Sequence, residues 1–91
     1  MSNQILHVRI ISPQELILET EAEAVSSKNI RGDFDILPEH ANFITVVENY
    51  PILIRVPKQK PIILKFNLAI IMVTENNVNI YTYIQPQVEK R

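Results

Sequence analysis

The chain has 91 residues, 46% of them hydrophobic, with nine Lys and Arg against ten Asp and Glu for a net charge of −1. Such a length makes one domain with one core, burying about two-thirds of the unfolded chain's surface, and the near balance of charge argues against a nucleic-acid binder, which carries a basic face. The complete absence of cysteine excludes disulfides, zinc thiolates and thiol nucleophiles.

Met1-Ser2-Asn3-Gln4 lacks the basic and apolar regions of a signal peptide. No stretch approaches the roughly 18 apolar residues of a membrane span. Both point to a protein kept in the cytosol, free to dock on a membrane complex from that side. Isoleucine and valine supply 23 residues against four alanines, a bias that suits pleated surfaces better than helices.

Period-two alternation then recurs along the chain. Leu6, Val8 and Ile10 share one face, and His7 and Arg9 the other. Ser12-Pro13-Gln14-Glu15 turns the chain, and Leu16, Leu18 and Thr20 then oppose Ile17, Glu19 and Glu21. The stretch 19–27 is rich in Glu and Ala but has strand-like flanks and reads as strand. Ile52, Ile54 and Val56 oppose Leu53 and Arg55. Pro57-Lys58-Gln59-Lys60-Pro61 reads as a hairpin loop whose prolines guard the strand ends. Ile62, Leu64 and Phe66 oppose Ile63 and Lys65. Glu75-Asn76-Asn77 is a tight turn in which asparagine replaces glycine. Val78, Ile80, Thr82 and Ile84 then oppose Asn79, Tyr81 and Tyr83. The pattern predicts an all-β, single-domain antiparallel sandwich or barrel over 1–84, followed by a polar tail at 85–91.

Phe43-Ile44-Thr45-Val46-Val47 and Leu68-Ala69-Ile70-Ile71-Met72-Val73 are apolar on both faces. Such strands are covered by a loop or by a partner. The chemistry of an enzyme is missing. There is no Gly-rich phosphate loop and no Gly-x-Ser-x-Gly. The two histidines, His7 and His40, match no metal-ligand spacing. No cofactor, metal or catalytic residue is expected.

The densest polar cluster surrounds the only glycine: Gly32-Asp33-Phe34-Asp35-Ile36-Leu37-Pro38-Glu39-His40-Ala41-Asn42-Phe43-Ile44-Thr45. This run resembles the signature of the N-terminal domain of the epsilon subunit of F-type ATP synthases. The flanks agree: Val8-Arg9-Ile10-Ile11-Ser12-Pro13 with Leu16-Ile17-Leu18 before it, and Asn77-Val78-Asn79-Ile80 after it.

The resemblance implies a flattened sandwich of about ten short strands. It implies a non-catalytic, nucleotide-free subunit of the central stalk, bound to the gamma subunit and the c-subunit ring. Such a subunit is peripheral to the cytoplasmic side of the membrane, reaches it only through the complex, and couples ion flow to ATP synthesis or hydrolysis. Asp33, Glu39 and His40 would form the loop that faces the c-ring, with Gly32 and Pro38 shaping the turn. For His40 the other reading is a turn-stabilising ring bonded to a backbone carbonyl. Ile44, Val46, Ile71 and Val73 are the candidates for the gamma contact. The pattern departs from the family at Asp35, Glu39 and Asn67-Leu68-Ala69, where glycines are usual, and it stops at Arg91 without the family's inhibitory helical pair. A free-standing sandwich binding a protein or peptide by edge-strand addition is the alternative reading.

Overall fold

The computed structural model describes residues 5–83. These form seven strands: β1 (Leu6–Ile11), β2 (Leu16–Ala22), β3 (Ala24–Asn29), β4 (Gly32–Ile36), β5 (Phe43–Arg55), β6 (Ile62–Thr74) and β7 (Asn77–Thr82). Hydrogen bonding links them in the order β2-β1-β7-β6-β5-β3-β4. Every neighbouring pair is antiparallel except β1–β7, which is parallel. No helix occurs among the described residues. The polar tail expected at 85–91, and Ile84 with it, lie outside them.

The count is seven rather than about ten because two pairs of expected short strands are fused. β5 and β6 are 13 residues each and stay in one register from Phe43↔Val73 to Ile54↔Ile62. The inward face changes parity midway. Val47, Ala69, Ile71 and Val73 are buried on one side of the change, and Ile52 and Ile54 on the other. Asn49, with φ +51°, marks the switch on β5. An asparagine enters this left-handed region at little cost, and there it turns the strand over without ending it.

The sheet therefore folds on itself into two layers. The first holds β2, β1, β7 and the 68–74 and 43–48 halves of β6 and β5. The second holds β4, β3 and the 50–55 and 62–66 halves. Leu6, Val8, Ile10, Ile71, Val78 and Ile80 of the first layer and Val25, Ile36, Ile52 and Ile54 of the second share one core at 0% exposure. With no helix among the described residues to cover either layer, each is the other's cover. Phe34 of β4 meets Phe43 of β5 edge-on across the gap, centroids 5.5 Å apart.

Local chemistry sets the connections. The buried Ser12 hydroxyl accepts the Gln14 and Glu15 N–H groups at 3.3 and 3.2 Å, closing the β1–β2 turn. The continuous strand read through 19–27 is broken at Glu23, where the chain crosses between layers and the Glu23 N–H donates to the Arg55 carbonyl at 2.8 Å. Pro51 has no N–H for β3, so that ladder ends at Ser26↔Leu53, and the Ser27 hydroxyl donates to the Pro51 carbonyl at 2.9 Å instead. The β6–β7 turn has Glu75 and Asn76 at φ +48° and +68°, both left-handed as a two-residue type I′ hairpin demands.

Candidate docking faces and the central loop

The Gly32-to-Thr45 run is divided between β4, a loop and the start of β5. Gly32 closes the β3–β4 hairpin at φ +124°, with nothing within 4 Å of where a Cβ would stand. Backbone conformation alone therefore demands glycine here. Asp33 follows it, exposed and opposite Lys28 of β3. Asp35 accepts a hydrogen bond from the Ser26 hydroxyl.

Glu39 and His40 lie past the other end of β4, so the strand separates them from Asp33 by roughly 10 Å or more. The three residues expected to make one contact loop are not brought into one cluster. Glu39 has φ +66°, and its N–H donates to the Asn76 side-chain oxygen at 2.6 Å, tying the loop to the β6–β7 turn. The position where the family usually has glycine is thus a left-handed one. The His40 N–H donates to the Leu37 carbonyl at 3.0 Å. Its ring Nδ1 donates to the Ala41 carbonyl at 2.7 Å, and the ring stands edge-on to Phe43 at 5.3 Å. The turn-stabilising geometry considered for His40 is present. Pro38 sits half-buried in the same turn.

The four residues named for a partner contact divide evenly. Ile44 and Val46 point outward, 64% and 46% exposed, whereas Ile71 and Val73 are core residues at 0% and 1%. That corrects the expectation for the latter two. In a strand apolar on both sides, alternation alone does not say which face is out, and the partner strand decides. Ile71 and Val73 alternate with the outward residues Ile70 and Met72, which pair with Val46 and Ile44.

The cross-strand register extends this outer face over the whole first layer. Val46, Ile70, Tyr81, Ile11 and Leu16 form one row across β5, β6, β7, β1 and β2, apolar from end to end. The next row runs Ile44, Met72, Asn79, Arg9 and Glu19, grading from apolar to charged. At its charged end Glu19 takes the His7 ring at 2.7 Å and has Arg9 at 3.9 Å. Ile70, Met72, Tyr81, Ile11 and Leu16 carry as much of this belt as Ile44 and Val46. Alternation within β7 and β1 signalled Tyr81 and Ile11, but not Ile70 and Met72, whose strand is apolar on both faces, nor Leu16, which the bulge at Ile17 sets in register with Ile11.

The second layer's outer surface is narrower. Pro51, Leu53 and Ile63, with Asp33 and Asp35 beside them, line a shallow groove of about 540 Å³. Among the described residues no three His, Cys, Asp or Glu side chains group as a metal site, and no helix is long and apolar enough to cross a membrane.

Residues 5–83 match the model of the ATP synthase delta/epsilon chain beta-sandwich domain. The chain belongs to this family. It is 40% identical over 43 residues to the ATP synthase epsilon chain of Moorella thermoacetica, covering 47% of this chain and 32% of that one. It is 28% identical over 71 residues to the ATP synthase epsilon chain of a Nitratiruptor species, covering 78% of this chain and 55% of that one. The chain thus spans between a third and about half the length of the curated relatives it matches. Its fold is also that of a chain in the cryo-EM structure of the Tetrahymena thermophila mitochondrial ATP synthase central stalk and c-ring. There the TM-score is 0.70 at 14% identity, with 92% of this chain and 67% of that one covered.

Proposed function

We propose that this domain acts as an epsilon-type subunit of a rotary ATP synthase, a non-catalytic body clamped between gamma and the c-ring that couples ion translocation to ATP synthesis or hydrolysis. The observation that carries the proposal is the apolar belt from Val46 to Leu16, which crosses all five strands of the first layer and spans roughly 20 Å. Contiguous exposed apolar surface of this kind is characteristic of an interface centre. In this reading the belt seats on gamma, with Ile44 and Val46 at its open end. Asp33, on the β3–β4 hairpin, faces the polar loops of the ring. Glu39 and His40 hold the loop at the opposite end of β4, and any contact they make with the ring is separate from that of Asp33. The domain binds no nucleotide and reaches the membrane only through the complex, on its cytoplasmic side.

The test is a pull-down of the tagged protein from detergent-solubilised membranes of its source, with partners identified by mass. Recovery of gamma and the catalytic-head subunits by the wild type, and their loss with Ile70→Asp, is the expected result. A preparation without them, from cells that hold the complex, would favour the free-standing binding module.

A further inference from the structure

Before Asn49, β5 belongs to the first layer, while residues 28–33, the tip of the β3–β4 hairpin, belong to the second. The β3–β5 ladder ends at Ser26↔Leu53, and among the described residues no backbone hydrogen bond joins 28–33 to β5 beyond it. Among those residues β4 pairs only with β3. The tip therefore overhangs β5 across a cleft of about 680 Å³, with Ile44, Val46 and Glu48 on the strand side and Ile30, 100% exposed, on the tip.

Side chains hold what the ladder does not. At the base of the tip, the Ser27 hydroxyl is fixed to the Pro51 carbonyl, and Phe34, the cross-strand partner of Ser27, stands against Phe43. Further out, the Lys28 ammonium lies 5.4 Å from the Tyr50 ring centroid, a contact made within the second layer. From 28–33, among the described residues, one hydrogen bond crosses to the first layer: the Asn29 side-chain amide donates to the Thr45 hydroxyl at 2.8 Å. Both residues lie on inner faces, Asn29 alternating with buried Val25 and Ser27, and Thr45 with buried Val47. The Asn29 side-chain oxygen accepts the Arg31 N–H at 2.8 Å, which fixes the amide and leaves its nitrogen for Thr45.

We infer that residues 28–33 form a flap, hinged at Ser27 and Phe34 and latched to the first layer by the Asn29–Thr45 bond. When the latch parts, the tip swings off β5 as one hairpin. Water then reaches the inner face behind Thr45, where Val47 is buried at 1% exposure. One neutral hydrogen bond is a modest fastening, and a segment so held opens at a free energy below that of global unfolding. Neither hinge nor latch depends on the ATP synthase reading.

The chain has no cysteine, so one introduced thiol can report the opening. Val47→Cys places it behind the latch, and Val8→Cys places it on β1, three strands away in the same core. Cysteine packs as a small hydrophobe, and circular dichroism should show both variants folded. Each is labelled with iodoacetamide in rising urea below the unfolding transition. At position 47 labelling should be the faster and nearly independent of urea, because a flap exposes little surface. At position 8 it should climb with the slope of global unfolding. Asn29→Ala and Thr45→Val should each raise the plateau at position 47 about 2- to 10-fold. The two together should do no more than either alone, since they remove one shared bond. Thr45→Ser keeps the hydroxyl and should leave the plateau unchanged. Equal rates with one urea slope at both positions would overturn the flap. A plateau at position 47 indifferent to Asn29→Ala and Thr45→Val would overturn the latch.

Discussion

Glu39 occupies a backbone position suited to a residue without a Cβ, at φ +66°, and is exposed. A left-handed conformation costs an ordinary L-residue about 1–2 kcal/mol, against about 0.5–1 kcal/mol of extra chain entropy for glycine. Glu39→Gly should therefore stabilise the domain by about 0.5–1 kcal/mol, read as a raised urea midpoint with unchanged slope. Gly32 is the opposite case. The space beside it is open, so Gly32→Ala meets no clash. Its φ of +124° is nonetheless closed to alanine, and the variant should lose about 1–3 kcal/mol in the same titration. The single glycine announced its own position in the sequence. Glu39 did not, because a strained residue looks like any other glutamate until its backbone is seen. The acceptor that helps hold it there, Asn76, lies 37 positions away.

At the scale of elements, the short alternating strands and the turns at Ser12, Pro57 and Asn76 were legible because each rests on local chemistry. Fusion of four expected strands into β5 and β6 was not. Glu48-Asn49-Tyr50 separates two apolar runs in the sequence, yet the register runs through it, and one left-handed residue exchanges the faces. The same limit explains the partner candidates. Composition identified two strands with apolar residues on both sides, but only the packed layers distinguish Ile71 from Ile70. Ile71→Ala should cost about 2–5 kcal/mol by removing part of a fully buried side chain, whereas Ile44→Ala should stay within about 0.5 kcal/mol. Paired denaturation curves check this. If the proposed function holds, Ile44→Ala should instead appear in gamma recovery, where Ile71→Ala has no direct part.

For the whole molecule, two mutually covering layers make a body that transmits force without deforming continuously. Asp33 contributes nothing to the core, so Asp33→Lys should cost the isolated domain no more than about 1 kcal/mol, from setting a lysine opposite Lys28, and, if the proposed function holds, it should weaken ATP-driven ion pumping by the assembled complex. Unchanged pumping would overturn the proposed contact of Asp33 with the ring. The parallel pairing of β1 with β7 has a further consequence, in time rather than space. The strand made last among those described lies between β1 and β6, in the middle of the first layer. As the chain leaves the ribosome, β1 and β6 must each wait with an apolar flank unpaired until Asn77–Thr82 arrives to join them. Ligation of distant segments is slow, and waiting edges are where nascent β chains aggregate. Arrival of β7 is therefore the step that closes the first layer.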